Sequence, residues 1–282
     1  MDILHTGPKD EDLAHAQLPA GTLKVLQLTD THLYSAPESR LLGINTLSSF
    51  LNVVEEYRHS DWQADMILAT GDLVHDASPD GYRNLAEMLD AFETPVYCLP
   101  GNHDVPQVMR KHLCSEFVTT EAVVDVGDWR IVLLDSVIVG EVGGHLEESQ
   151  FELLEKALNA TDRHVLISLH HQPVPVGSRW IDDMSVDNGE RLIDIAQASP
   201  QVKGILWGHV HQSYDRRLGK LRLMASPSTC VQFAPDSDDF AVDAREPGYR
   251  LLALTPDGRI LSEVKRTLRM PSGLNMASAG YE

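Results

Sequence analysis

Three cysteines, 6% aromatic residues and 23 basic side chains against 42 acidic ones mark what this 282-residue chain has little of. Cys98, Cys114 and Cys230 are odd in number and lack C-x-x-C spacing, which argues against a disulfide framework and fits thiols kept reduced in a cytosol. The shortage of Lys and Arg leaves a net charge of −19. A surface that acidic repels nucleic-acid phosphates and anionic membranes, because binding to either depends on clustered basic side chains. No apolar run approaches the roughly 18 residues of a membrane span, and Met1 to Ala20 is polar and acidic, without the apolar stretch of a signal peptide. The expectation is a soluble, cytoplasmic protein with no nucleic-acid or membrane partner. Any anionic substrate would have to be drawn in by local positive charge, for which a metal is the candidate.

What is present is an ordinary globular composition, 43% hydrophobic and 23% charged, long enough for one large α/β domain. Short apolar runs alternate with amphipathic stretches, the rhythm of a largely parallel sheet covered by helices. Strands are predicted at Leu23 to Leu28, Met66 to Ala69, Val96 to Leu99, His164 to Leu169 and Lys203 to Trp207. Helices are predicted at Thr46 to Arg58, with Leu47, Phe50, Leu51 and Val54 as the apolar face, after the Ser78-Pro79 cap, and at Glu147 to Asn159 and Gly189 to Ala198. Gly127-Asp128, Gly219-Lys220 and Pro256-Asp257-Gly258 read as turns between paired strands. The acidic stretch 235–247 reads as a solvated loop. With no repeat or linker, the chain reads as a single domain over 21–269 with two facing sheets, and 1–20 and 270–282 are expected to be flexible termini.

The position of the polar residues carries the chemistry. The first strand runs into Asp30-Thr31-His32, the second into Gly71-Asp72 and the third into Gly101-Asn102-His103-Asp104. The later strands deliver His170-His171 and Gly208-His209-Val210-His211. Ligand crevices of open α/β sheets lie at the carboxyl ends of strands, so five strand ends would converge on one pocket. A single zinc is satisfied by three or four protein ligands; this set suits two ions sharing a carboxylate. Mixed imidazole, carboxylate and amide donors favour manganese, iron or zinc over magnesium or calcium. Asp-x-His and His-x-His in extended backbone would put both ligands on one side, and the glycines before Asp72, Asn102 and His209 would let the chain bend. The remaining histidines, His75 among them, are assigned to surface or packing roles.

The order D-x-H, G-D, G-N-H-D, H-H-x-P, G-H-x-H over Asp30 to His211 resembles the calcineurin-like metallophosphoesterases. Gln27 to Leu33, Gly71-Asp72-Leu73 followed by Asp76, Leu99 to Asp104, and His171-Gln172-Pro173 running on to Gly177 to Asp182 are similar to the bacterial class III 3′,5′-cyclic-nucleotide phosphodiesterases, those acting on cyclic AMP above all. The resemblance implies a four-layer α/β sandwich with two facing mixed sheets flanked by helices. It also implies two metal ions, iron or manganese first and zinc as an option. Asp30, His32 and His211 would hold one; Asn102, His171 and His209 would hold the other; Asp72 would bridge them. Either His170 or His171 could be the ligand; in the families the chain resembles that histidine stands two residues before the proline, here His171 before Pro173, which leaves His170 a supporting or core residue.

On the same resemblance the substrate is a small cyclic nucleotide, contacted by His32, Asp72, Asn102 and His103. Metals about 3.5–4 Å apart clamp a phosphate and produce hydroxide for in-line attack, giving 5′-AMP from 3′,5′-cyclic AMP. His103 would be the catalytic proton donor to the leaving oxygen, with Asp104 orienting its ring or serving simply as a turn residue. Arg179 and Trp180 are candidates for the pocket rim, Trp180 equally for packing. Two other readings are carried: the same metal chemistry on another phosphodiester, a nucleotide anhydride or a phosphomonoester, and an inactive scaffold of the same fold, which the full ligand set disfavours.

Overall fold

The structure, a computed structural model, describes residues 4–6, 13–14 and 16–280. Two mixed β-sheets face each other. One has six strands in the spatial order Ile260–Arg266, Gly248–Leu254, Leu23–Leu28, Met66–Thr70, Val96–Leu99 and Val118–Thr119. Its last four strands are parallel and its first three antiparallel. The other has seven, in the order Leu4–Thr6, Tyr214–Leu218, Leu221–Ala225, Val202–Trp207, His164–Ser168, Trp129–Leu133 and Val123–Val126. Its middle four are parallel and each outer pairing is antiparallel.

The central strands read as unbroken apolar runs because both of their faces are buried. Successive side chains alternate between two cores, as the strand period of two requires. Val25, Leu68, Leu166 and Leu206 point into the core between the sheets, while Leu26, Ile67, Ile167 and Ile205 point outward under the helices. Thr46–Arg58 and Pro79–Asp90 cover the six-stranded sheet; Glu148–Asn159 and Gly189–Ala198 cover the seven-stranded one. The four layers therefore follow from the alternation.

Local signals set most boundaries. The Asn45 side chain caps Thr46–Arg58 by accepting from Ser48 N at 2.7 Å, and Ser78 caps the next helix by accepting from Gly81 N at 3.1 Å. The predicted apolar face of the first helix is turned: Phe50 and Val54 are buried together with Val53 and Tyr57, but Leu51 is 48% exposed. The sheet lies under the Phe50–Val53–Tyr57 stripe, so Leu51 falls just outside it. Within the acidic stretch, Val242–Asp243 pairs with Gln232–Phe233 and Val242 is buried, so that part is not a free loop. The helix Pro106–His112, with proline in its first turn, and the hairpin Arg40–Leu41/Ile44–Asn45 carry no apolar periodicity long enough to register in the sequence. Beyond Arg266 the described chain has no helix or strand and crosses that hairpin, Asn275 N donating to Leu42 O at 2.9 Å. No helix among the described residues is long and apolar enough to cross a membrane.

Two buried polar side chains tie the sheets together just beneath the strand ends. Gln27 donates to Thr70 Oγ1 at 2.8 Å and to Trp207 O at 3.1 Å, and accepts from Ser226 Oγ. Arg250 donates to Ser226 Oγ, Ser262 Oγ, Tyr214 O and Ala225 O; burial pulls its guanidinium down to about 10, which leaves it charged at neutral pH. Buried polar groups left without partners cost about 1–3 kcal/mol each. Gln27→Leu, close in volume, is therefore expected to destabilise the fold by about 2–4 kcal/mol in urea unfolding with an unchanged m-value.

Candidate metal centre and active site

The turns after the strands are held in a backbone conformation that L-residues avoid. Asp30, His32, Asp72, His209 and His211 have φ of 53°, 44°, 52°, 63° and 49°, the left-handed region, where a non-glycine residue costs about 1–3 kcal/mol. The extended-backbone expectation for Asp30-x-His32 and His209-x-His211 is thus corrected: both motifs are coiled tightly. Cross-links hold them so. Asp30 N donates to Gly71 O at 3.0 Å and His32 N to Asp72 O at 2.9 Å; Ser228 Oγ donates to Asp30 O at 2.8 Å and Thr31 Oγ1 to Leu73 O at 2.6 Å. Of the three glycines, only Gly71 bends the chain, with φ of 91°. Gly101 and Gly208 provide room: a Cβ on Gly101 would lie 2.3 Å from Asp72 N, and one on Gly208 2.2 Å from Thr29 Oγ1.

All the expected ligand residues come to one crevice. His211 Nε2 stands 3.3 Å from Asp30 Oδ1 and 3.2 Å from His32 Nε2, which is 3.7 Å from Asp72 Oδ2. His170, His171 and His209 form the neighbouring cluster, and Asp30, Asp72 and His170 link the two. His170 Nε2 lies 3.2 Å from Asn102 Oδ1, 3.4 Å from Asp72 Oδ2 and 4.0 Å from Asp30 Oδ1. The outward nitrogens have their own anchors: His211 Nδ1 on Val231 O at 2.8 Å, His170 Nδ1 on Thr70 O at 2.9 Å, His171 Nδ1 against Ser136 Oγ at 2.8 Å. His209 N donates to both oxygens of Asp30, at 3.1 and 3.2 Å.

The electrostatics favour cations. Burial pushes His32 and His209 well below the usual imidazole range and His171 down to about 3, the latter helped by the charge of His170. Those rings are neutral at pH 7, the form in which imidazole ligates a metal. Burial also works against a charged His170, but the carboxylate of Asp72, with that of Asp30, outweighs it and raises the ring to about 9. In turn His170 and His103 hold Asp72 well below the usual carboxylate range against its own burial. His171 Nε2 and His209 Nε2 are buried without a hydrogen-bond partner, which is costly unless something fills their lone pairs. Carboxylate, amide and imidazole donors around orphaned buried nitrogens fit a pair of divalent ions.

Two residues take places that the sequence did not assign. His170 sits among the acidic oxygens. His75, three residues past Asp72, puts Nδ1 3.0 Å from His32 Nδ1 and stacks on His103 with ring centroids 4.3 Å apart. Asp104 accepts from Gly101 N at 2.9 Å, Leu73 N and Val74 N at 3.1 Å and Tyr82 OH at 2.9 Å. Of the two roles considered for it, the turn residue fits: it welds the loop after Leu99 to the loop after Thr70. Burial, with the charge of Asp72, raises it to about 6. Trp180 packs on Phe233 and Phe240, at 5.1 and 5.0 Å, and exposed Arg179 stands 3.8 Å from Asp238. His103 is half-buried, its backbone N–H donating to Asp72 Oδ1 at 2.9 Å.

Residues 23–213 match the family described as Calcineurin-like phosphoesterase. The 3′,5′-cyclic adenosine monophosphate phosphodiesterase CpdA of Pseudomonas aeruginosa is 43% identical over 270 residues, covering 95% of this chain and 99% of that protein. The protein of the same name from Escherichia coli strain K12 is 41% identical over 261 residues, covering 92% and 95%. Among solved structures, a dimetal phosphatase from Danio rerio aligns with a TM-score of 0.58 at 15% identity, over 87% of this chain and 99% of that one. A purple acid phosphatase from yellow lupin seeds aligns with a TM-score of 0.59 at 17% identity, over 89% and 52%. At these identities the two structures share the fold.

The weld at Asp104 is testable apart from any chemistry. Asp104→Asn replaces one acceptor oxygen by a donor and leaves backbone N–H groups unpaired, so it is expected to cost about 2–4 kcal/mol of stability at pH 7, read by chemical denaturation. Metal content of the folded variant at low temperature should stay at the wild-type value.

Proposed function

The chain belongs to the calcineurin-like phosphoesterase family, and we propose that it hydrolyses 3′,5′-cyclic AMP to 5′-AMP as a metal-dependent phosphoric diester hydrolase. The observation that carries this reading is a largely buried donor set with the half-buried ring of His103 beside it: His103 reaches the crevice without being needed as a ligand. The names of the relatives at 41–43% identity support the substrate. The acting unit is the domain over 21–269. Three free thiols, two of them buried, support a reducing cytoplasm, and the net charge of −19 disfavours nucleic acid as substrate.

Asp30, His32 and His211 would hold one ion, Asn102 and His209 the other, and Asp72 both. For the remaining place the geometry favours His170 over His171: its Nε2 faces the oxygens of Asn102 and Asp72 while its Nδ1 donates to a backbone carbonyl, the usual support of a ligating ring. The bound ions, iron or manganese in our reading, would polarise the phosphodiester and acidify the attacking water. Asp30 and Asp72 return only two negative charges, so the loaded crevice stays positive toward a phosphate monoanion. Asn102 and His32 border the phosphate position. His103 gives its proton to the ribose 3′ oxygen as the bond from phosphorus breaks; the backbone N–H of the same residue, on Asp72, fixes where the ring starts.

Metal-reconstituted protein is expected to convert cyclic AMP to 5′-AMP, followed by chromatography. His103→Ala should keep its metal and lose about 10²–10⁴-fold in kcat; unchanged turnover would remove His103 from the mechanism. His170→Ala should lower metal content more than His171→Ala, as measured by elemental analysis after dialysis, and the reverse order would return the ligand place to His171.

A further inference from the structure

The outward nitrogens of the buried imidazoles are anchored in two ways. His211 and His170 use backbone carbonyls, Val231 O and Thr70 O, which no substitution removes. His32 instead relies on a side chain, with Nδ1 3.0 Å from His75 Nδ1. Because His32 Nε2 faces His211 and Asp72, a ligating His32 must carry its proton on Nδ1, and His75 Nδ1 is then the acceptor. The same His75 ring lies nearly parallel to His103, with centroids 4.3 Å apart and planes 21° apart. Tyr34 packs against His75 as well, at 4.9 Å.

The backbone fixes the position of this ring. His75 N donates to Leu33 O at 2.7 Å. The next residue, Asp76, accepts from Ser35 N and Oγ at 3.1 and 2.9 Å and from Ser78 N and Oγ at 3.1 and 2.7 Å. The loop carrying His75 is thus tied to the loop that follows His32.

We propose that His75 is a positioning residue with two separable roles: its Nδ1 fixes the ligating tautomer of His32, and its ring face holds His103 at the crevice. The second role rests on the proposed phosphodiesterase reading; the first needs only the metal. Groups that support a ligating histidine typically contribute about 10–100-fold in metal affinity, and a proton donor held out of line loses much of its contribution.

Two variants separate the roles. His75→Phe keeps a flat ring and loses the acceptor; His75→Asn keeps a hydrogen-bonding amide and loses the ring. Binding of Mn²⁺ to metal-stripped protein is measured by calorimetry. kcat and KM are measured at saturating Mn²⁺ on bis(p-nitrophenyl) phosphate and on cyclic AMP, and thermal melting checks the fold. His75→Phe is expected to weaken Mn²⁺ binding about 10–100-fold with the smaller loss in kcat. His75→Asn is expected to bind Mn²⁺ within about threefold of wild type and to lose about tenfold or more in kcat at similar KM. Wild-type values for both quantities in both variants, or equal losses of both in each, would overturn the proposal. A wild-type protein that cleaves neither substrate would defeat the phosphodiesterase reading, while the Mn²⁺ titrations would still decide the role of His75 toward His32.

Discussion

Everything at the crevice answers to one constraint: two carboxylates and five imidazoles are packed out of water within a few ångströms of one another. Such groups are costly to bury unless each lone pair and proton has a partner. The fold supplies partners on the outer side of the cluster through Thr70, Val231 and Ser136 and the backbone N–H groups of His103 and His209. On the inner side the nitrogens of His171 and His209 have none. The protein thus orients the donors and leaves His209 Nε2 open toward a cation, while the hydrogen-bonded cross-links hold the left-handed turns despite their conformational cost.

That cost is borne by the rest of the domain. A left-handed Asp or His in a solvent-exposed loop would relax; here each sits at the mouth of a strand whose residues are buried on both faces, and the turns are sewn to one another by backbone hydrogen bonds. Asp104 belongs to the same logic. Its carboxylate accepts from three backbone N–H groups and a tyrosine hydroxyl, so it keeps the loop of Asp72 and that of Asn102 in register.

Much of this could be read from the chain. Buried strands announce themselves as apolar runs, and the polar residue after each run marks a strand end, so the convergence of Asp30, His32, Asp72, Asn102 and the later histidines was legible. The helix face at Leu51 was not, because i, i+3, i+4 spacing leaves its edges undetermined by about one residue's rotation and only packing chooses. Nor does the sequence separate His170 from His171, since adjacent residues differ only in the direction a strand end turns. His75 was hidden for another reason: its partners, His32 and His103, lie 43 and 28 positions away and carry no spacing signal. Asp104 stood between two roles in the sequence because partners that separate them, Leu73 N, Val74 N and the Tyr82 hydroxyl, lie 22 to 31 positions away.

The crevice is assembled from two sheets whose apolar inner faces pack on each other and are joined by buried polar ties. Asp30, His32, Asp72 and Asn102 follow strands of the six-stranded sheet, and His170, His171, His209 and His211 follow strands of the seven-stranded one. The gap across which those two groups of donors look at each other is set by the thickness of the layer holding Val25, Leu68, Leu166 and Leu206. Trimming a methyl there would leave a cavity that the sheets close only in part, so the change reaches the spacing of the donors as well as the stability of the core. Drift in the inner layer would thereby be felt at the donors, through an aliphatic residue remote from any of them.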